Sequence, residues 1–229
     1  MASKDDDLLE PEEELVDEVD DMRMSRTEEP DYSIKFDKVR DKVVFDPMGN
    51  EIKFGDIFKK QKTIVIFVRH FLDFITKDYV EDLGSIPLEY LQAADVRLVV
   101  IGPAPFKFIN DFKKSTNFNY TLYCDPEREL YKALNMNSVS EYGDVRHAKH
   151  VKQNAIMGIM RGMWKIMKSQ EWEGDNKQNG GSFVLGPGEV VHFSHLDKNQ
   201  VDQVPINEIL KKADVQLVSF PKDPRVQNI

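Results

Sequence analysis

Cysteine is almost absent from this chain: among 229 residues there is one, Cys124. A single thiol excludes an internal disulfide framework and any cysteine-rich metal site, and it suits a reducing compartment. Long apolar runs are missing too. No stretch of about 18 apolar residues occurs, and no charged-then-apolar leader opens the sequence, so a soluble cytoplasmic protein without a transmembrane segment is expected. There is no phosphate-cradling P-loop and no dinucleotide fingerprint, since Gly186-Pro187-Gly188 reads as a hairpin turn. No cofactor and no nucleic-acid partner is expected. The five histidines do not gather into a ligand set: His192 and His195 fall on different faces of a strand, and His147 and His150 share a helical face without a third ligand. No metal is expected.

What the chain has is acid, unevenly placed. The net charge is −9, yet residues 1–30 alone hold 13 Asp or Glu against 3 Lys or Arg, a net of −10. The remainder is nearly neutral. The acidity therefore describes a tail with the composition of a disordered segment rather than the body and its ligands. Leu8, Leu9, Leu15, Val16 and Val19 punctuate the acid run, a mixture that suits either a solvating tail or a segment that folds onto a basic partner.

Past the tail, a domain over residues 38–220 is expected, with a short tail at 221–229. Lys42 to Phe45 and Glu51 to Phe54 flank the turn sequence DPMGN and predict a small hairpin. Ile64 to Val68 is a continuous apolar run, the pattern of a strand covered on both faces. A helix from Asp73 to about Ala93 and a second strand, Val96 to Ile101, complete a parallel β-helix-β unit. A half-buried helix with Phe106, Ile109 and Phe112 on its apolar side follows. Then come a short strand, Thr121 to Cys124, and a helix started by Asp125-Pro126-Glu127 and running to about Leu134. The longest candidate helix covers residues 148–170, opening on Ala148 and closing on Gln170. Met157, Met160, Met163, Trp164 and Met167 lie there beside Lys149, Lys152, Arg161, Lys165 and Lys168. Such a basic, methionine-rich helix either covers a sheet face or docks on an acidic protein partner. An antiparallel hairpin around Gly186-Pro187-Gly188 and a helix from Pro205 to Ala213 end the domain. Parallel β-α-β first, then hairpin and helix, is the layout of an α/β, thioredoxin-like fold: a central mixed sheet flanked by helices, with an N-terminal hairpin.

The strings FVRHFLDFITKDYVEDL, DPERELYKALNM and NGGSFVLGPGEVVHFSHLDKN resemble the peroxiredoxin-like AhpC/TSA antioxidant-domain family, the branch related to selenoprotein U. The resemblance spans residues 38–220. It implies a thioredoxin fold, a cytosolic location and peroxide or redox handling, with one branch reducing lipid endoperoxides. It also implies a Cys-x-x-Cys pair, or one redox cysteine or selenocysteine, at the turn after the central strand; those positions are Asp73 and Thr76 here. Where thioredoxins place a proline facing the redox pair, this chain has Gly180, Gly181 and Ser182.

A carboxylate and a hydroxyl cannot exchange disulfides, and Asp73 has a plainer reading as the cap of the helix it opens. Cys124 is the remaining thiol that could meet a peroxide, although the end of a short buried strand, beside Asp125, Glu127 and Glu129, is a poor setting for a thiolate. Two functions follow. One is a degenerate peroxiredoxin-like protein working as an interaction or regulatory module, through the acidic tail or the basic helix. The alternative is a thiol-dependent peroxidase using Cys124.

Overall fold

A computed structural model of the chain describes residues 34–136 and 178–219. The acidic tail, His147, His150, the methionine-rich helix expected over 148–170 and the C-terminal tail at 221–229 lie outside the described residues.

The described residues form a seven-stranded mixed sheet of order β2-β1-β5-β4-β3-β6-β7. Its strands are β1 (Val43–Phe45), β2 (Glu51–Lys53), β3 (Lys62–Phe67), β4 (Val96–Gly102), β5 (Thr121–Cys124), β6 (Gly181–Leu185) and β7 (Val191–Leu196). Parallel pairing joins β3 to β4 and β4 to β5, while β6 runs antiparallel to β3. β3 is thus internal, with its residues from Thr63 onward buried, as its unbroken apolar run requires.

The helices are α1 (Phe36–Val39), α2 (Phe54–Ile57), α3 (Phe74–Gly84), α4 (Leu88–Ala93), α5 (Ile109–Thr116), α6 (Glu129–Ala133) and α7 (Ile206–Lys212). Strand alternation divides the core between them. Ile64, Ile66, Leu98 and Val100 face Val80, Leu83, Phe112 and Ile209 from α3, α5 and α7. Val65, Phe67, Val99 and Ile101 face Val39, Phe54, Leu130 and Tyr131 from α1, α2 and α6. The hairpin stands as expected, with Phe45 paired to Glu51 across a turn in which Gly49 takes φ +84°.

Three expectations need correction. The helix expected from Asp73 to Ala93 is two, because Pro87 cannot donate a backbone hydrogen bond and disfavours helical geometry in Ile86 before it; α3 stops at Gly84 and α4 opens after Pro87. The helix expected to start at Pro126 starts at Glu129. Pro126 and Glu127 form a turn and Arg128 is left-handed at φ +56°, yet the Asp125 carboxylate still reaches forward to accept from the Glu129 and Leu130 amides at 3.0 and 2.8 Å. Phe106 is not an apolar anchor. It lies in a 3-10 turn, Phe106–Phe108, and is 40% exposed, whereas Phe108 takes the buried place.

Candidate functional site

Everything at the mouth of α3 follows from how β3 ends. Ladder pairing continues one residue past the strand, the Val68 amide donating to the Ile101 carbonyl at 2.9 Å. The buried Tyr131 hydroxyl stands against the carbonyls of Val68 and Ile101, at 2.7 and 2.9 Å. This pins the tips of β3 and β4 together. The chain then folds through Arg69, His70, Phe71 and Leu72. The His70 ring accepts the Leu72 amide at Nδ1, at 3.0 Å, and the Asp73 amide donates to the His70 carbonyl at 3.1 Å. Phe71 is fully buried and stacks on Phe112, with ring centroids 4.1 Å apart. Gly102 leaves room for it, since a Cβ there would come within 2.2 Å of the Phe71 ring.

Asp73 closes the turn with extended backbone, φ −77° and ψ 125°, and its side chain turns back over α3. Oδ1 accepts from the Ile75 amide at 3.3 Å and Oδ2 from the Thr76 amide at 3.2 Å; the Thr76 hydroxyl donates to the same Oδ2 at 2.9 Å. The guanidinium of Arg69 stands 3.6 Å from Oδ2. Asp73 and Thr76 are therefore brought together, and the helix N-terminus, where a thiolate would be stabilised by orphan amides and the helix dipole, is occupied by a carboxylate.

Cys124 lies on β5, not in the turn that opens α3. It sits at the end of β5, fully buried, and burial pushes its thiol well above the ordinary cysteine range. Such a thiol is neither exposed nor ionised at neutral pH. Gly180, Gly181 and Ser182 do stand across from the tip of β3, with Phe67 paired to Gly181 and Ile66 to Ser182. At Gly180 a Cβ would meet the Phe67 carbonyl oxygen at 2.2 Å, so this backbone approach admits only glycine without a shift. His192 bonds the Gly186 carbonyl at 2.7 Å and His195 the Asp202 carbonyl at 2.9 Å. Among the described residues, no three His, Cys, Asp or Glu side chains gather in a metal-ligating group.

Two residues important here escape a reading of the sequence. Arg69 is buried, its Nε donating to the Gln178 carbonyl at 2.9 Å. A charged residue directly after the apolar run Ile64 to Val68 was its signal. Asp197 is 5% exposed, and burial, reinforced by the nearby Asp202 charge and opposed by Arg69, raises its carboxyl well above the usual range. No local pattern marks it, because it meets Arg69 through the sheet and not along the chain.

A family model described as AhpC/TSA antioxidant enzyme matches residues 85–199. Peroxiredoxin-like 2C of Bos taurus is 42% identical over 188 residues, covering 81% of this chain and 82% of the relative. The chain belongs to the AhpC/TSA peroxiredoxin-like family. The Homo sapiens Peroxiredoxin-like 2C is 40% identical over the same length, covering 81% of this chain and 83% of the relative. A mutant of peroxiredoxin 6 from Arenicola marina superimposes with a TM-score of 0.54 at 14% identity, over 77% of this chain and 70% of that one. That likeness carries the fold, thioredoxin-like with a mixed sheet between helices. The peroxiredoxin-like fold is therefore present with one cysteine in the whole sequence.

Proposed function

We propose that this chain is a peroxiredoxin-like protein without dithiol chemistry, acting as an interaction or regulatory module in the cytoplasm. The observation that carries this reading is the filled cap of α3: the Asp73 carboxylate accepts from the Ile75 and Thr76 amides and the Thr76 hydroxyl, and its oxygens, unlike a thiolate sulfur, cannot be oxidised by a peroxide and reduced again. Oxygen at both positions also leaves nothing to form a mixed disulfide. The burial of Cys124 speaks against the alternative, a peroxidase working through that thiol, because peroxide reacts with an exposed thiolate.

An exposed aromatic supports the interaction reading. Phe74, immediately after the cap, is 44% exposed on the rim of the site, next to the half-buried Leu72. The acidic tail and the basic, methionine-rich stretch 148–170 are the other proposed routes to a partner.

Restoring the sulfurs tests the reading. The Asp73→Cys, Thr76→Cys variant should gain thiol-disulfide exchange, since a cysteine at position 73 would sit at a helix N-terminus that lowers its pKa. The unsubstituted chain should show none. Equal exchange activity in the two proteins would reject the proposal, and so would rapid trapping of Cys124 as a sulfenic acid at low peroxide in the folded protein.

A further inference from the structure

Behind the first turn of α3, on its buried side, lies a small chamber. Its polar lining is Arg69, Thr76, Tyr79, Ser182, Asp197 and Gln203, with Ile66, Phe67 and Val68 as its apolar wall. It offers a water-sized molecule about 10 Å³ in which to place its centre. That is the room of about one water.

Two acceptors in this region are buried without a hydrogen-bond partner, Asp197 Oδ1 and Gln203 Oε1. Buried polar atoms of this kind are ordinarily satisfied by a protein group or a water. The hydroxyls around them are already committed. Thr76 donates to Asp73 Oδ2 at 2.9 Å, Tyr79 to the Val204 carbonyl at 2.6 Å, and Ser182 bonds Tyr79. His195 Nε2 stands 3.7 Å from Asp197 Oδ1, beyond hydrogen-bond reach, and is held by the Asp202 carbonyl at 2.9 Å. Turning the Gln203 amide over does not help. Its Nε2 donates to the Gln200 carbonyl at 2.9 Å, and the flip would set two carbonyl oxygens against each other.

We propose that the chamber is a binding site for one water molecule, which donates to Gln203 Oε1 and shares a hydrogen bond with Asp197 Oδ1. The site takes a small hydrogen-bond donor with a single non-hydrogen atom. The bound water ties together the two ends of the connection between β7 and α7, at Asp197 and Gln203. The inference does not depend on the function proposed above.

A crystal structure of the full chain, at a resolution where ordered water is seen, tests it. The expected result is one spherical peak within about 3.2 Å of both oxygens, lost in the Gln203→Leu variant. A chamber closed by rotation of a protein donor onto Asp197 would overturn the site. Elongated density, or a peak unchanged in Gln203→Leu, would overturn the assignment of its ligand or of its second acceptor. Should the variant fail to fold, the unsubstituted protein still decides, through its map and through magnetisation transfer from water to the Thr76 and Tyr79 protons, expected to be present and contradictory if missing.

Discussion

At Asp73 a single carboxylate caps α3 and, on the function proposed above, stands in place of a thiolate. Removing it should expose that double role. Asp73→Ala leaves the Ile75 and Thr76 amides without their acceptor, and about 1 kcal/mol of stability should be lost in chemical denaturation. Thr76→Val removes the hydroxyl that shares Oδ2, so the double variant should cost less than the two single losses together, the mark of a shared network. Strict additivity would mean that the two side chains act separately. Cys124 gives a second expectation at this scale. With its thiol buried and its pKa raised, labelling by a thiol reagent in the native protein should proceed only at the rate of global or local opening, and it should become fast in denaturant. Fast labelling under native conditions would show a thiol more open than its surroundings allow.

The elements around the site owe their placing to a few tight approaches. One of them is Gly180, where a Cβ would lie 2.2 Å from a backbone oxygen of β3. Gly180→Ala should therefore lower the melting temperature by several degrees, about 1–3 kcal/mol of overpacking, and an unchanged melting curve would mean that β3 and β6 separate easily there. Much of this architecture was legible from residue pattern: the apolar run from Ile64 to Val68 gave an internal strand, DPMGN gave the hairpin turn, and Asp73 gave a cap. The rest was hidden for physical reasons. Pro87 sits in the middle of a helical periodicity that continues on both sides, so only its missing N–H reveals the break between α3 and α4. Asp125 bonds the first turn of α6 from beyond an intervening turn, a reach that spacing alone does not distinguish from direct capping. Asp197 belongs to the site solely because β6 and β7 fold back beside β3.

For the whole molecule, buried carboxyls set how stability varies with pH. Asp197 holds its proton in the folded state well above the unfolded carboxyl value of about 3.9. Below that value both states are protonated and the group is neutral in its effect. As pH rises past it, the unfolded chain ionises while the folded chain does not, and stability falls until the folded group itself titrates. Asp197→Asn removes this dependence, so the stability difference between the two proteins should change with pH in favour of the variant as pH rises from about 4 toward neutrality. A constant difference would place an ionised carboxylate in the fold. The same molecule poses the larger question of whether an AhpC/TSA-type fold with oxygen at positions 73 and 76 retains the family's chemistry. The most direct measurement is hydroperoxide consumption by the purified full-length chain with an external thiol reductant. The account expects no catalytic turnover, with Cys124→Ser indistinguishable from the unsubstituted chain. Sustained turnover that disappears on changing Asp73, Thr76 or Cys124 would contradict it.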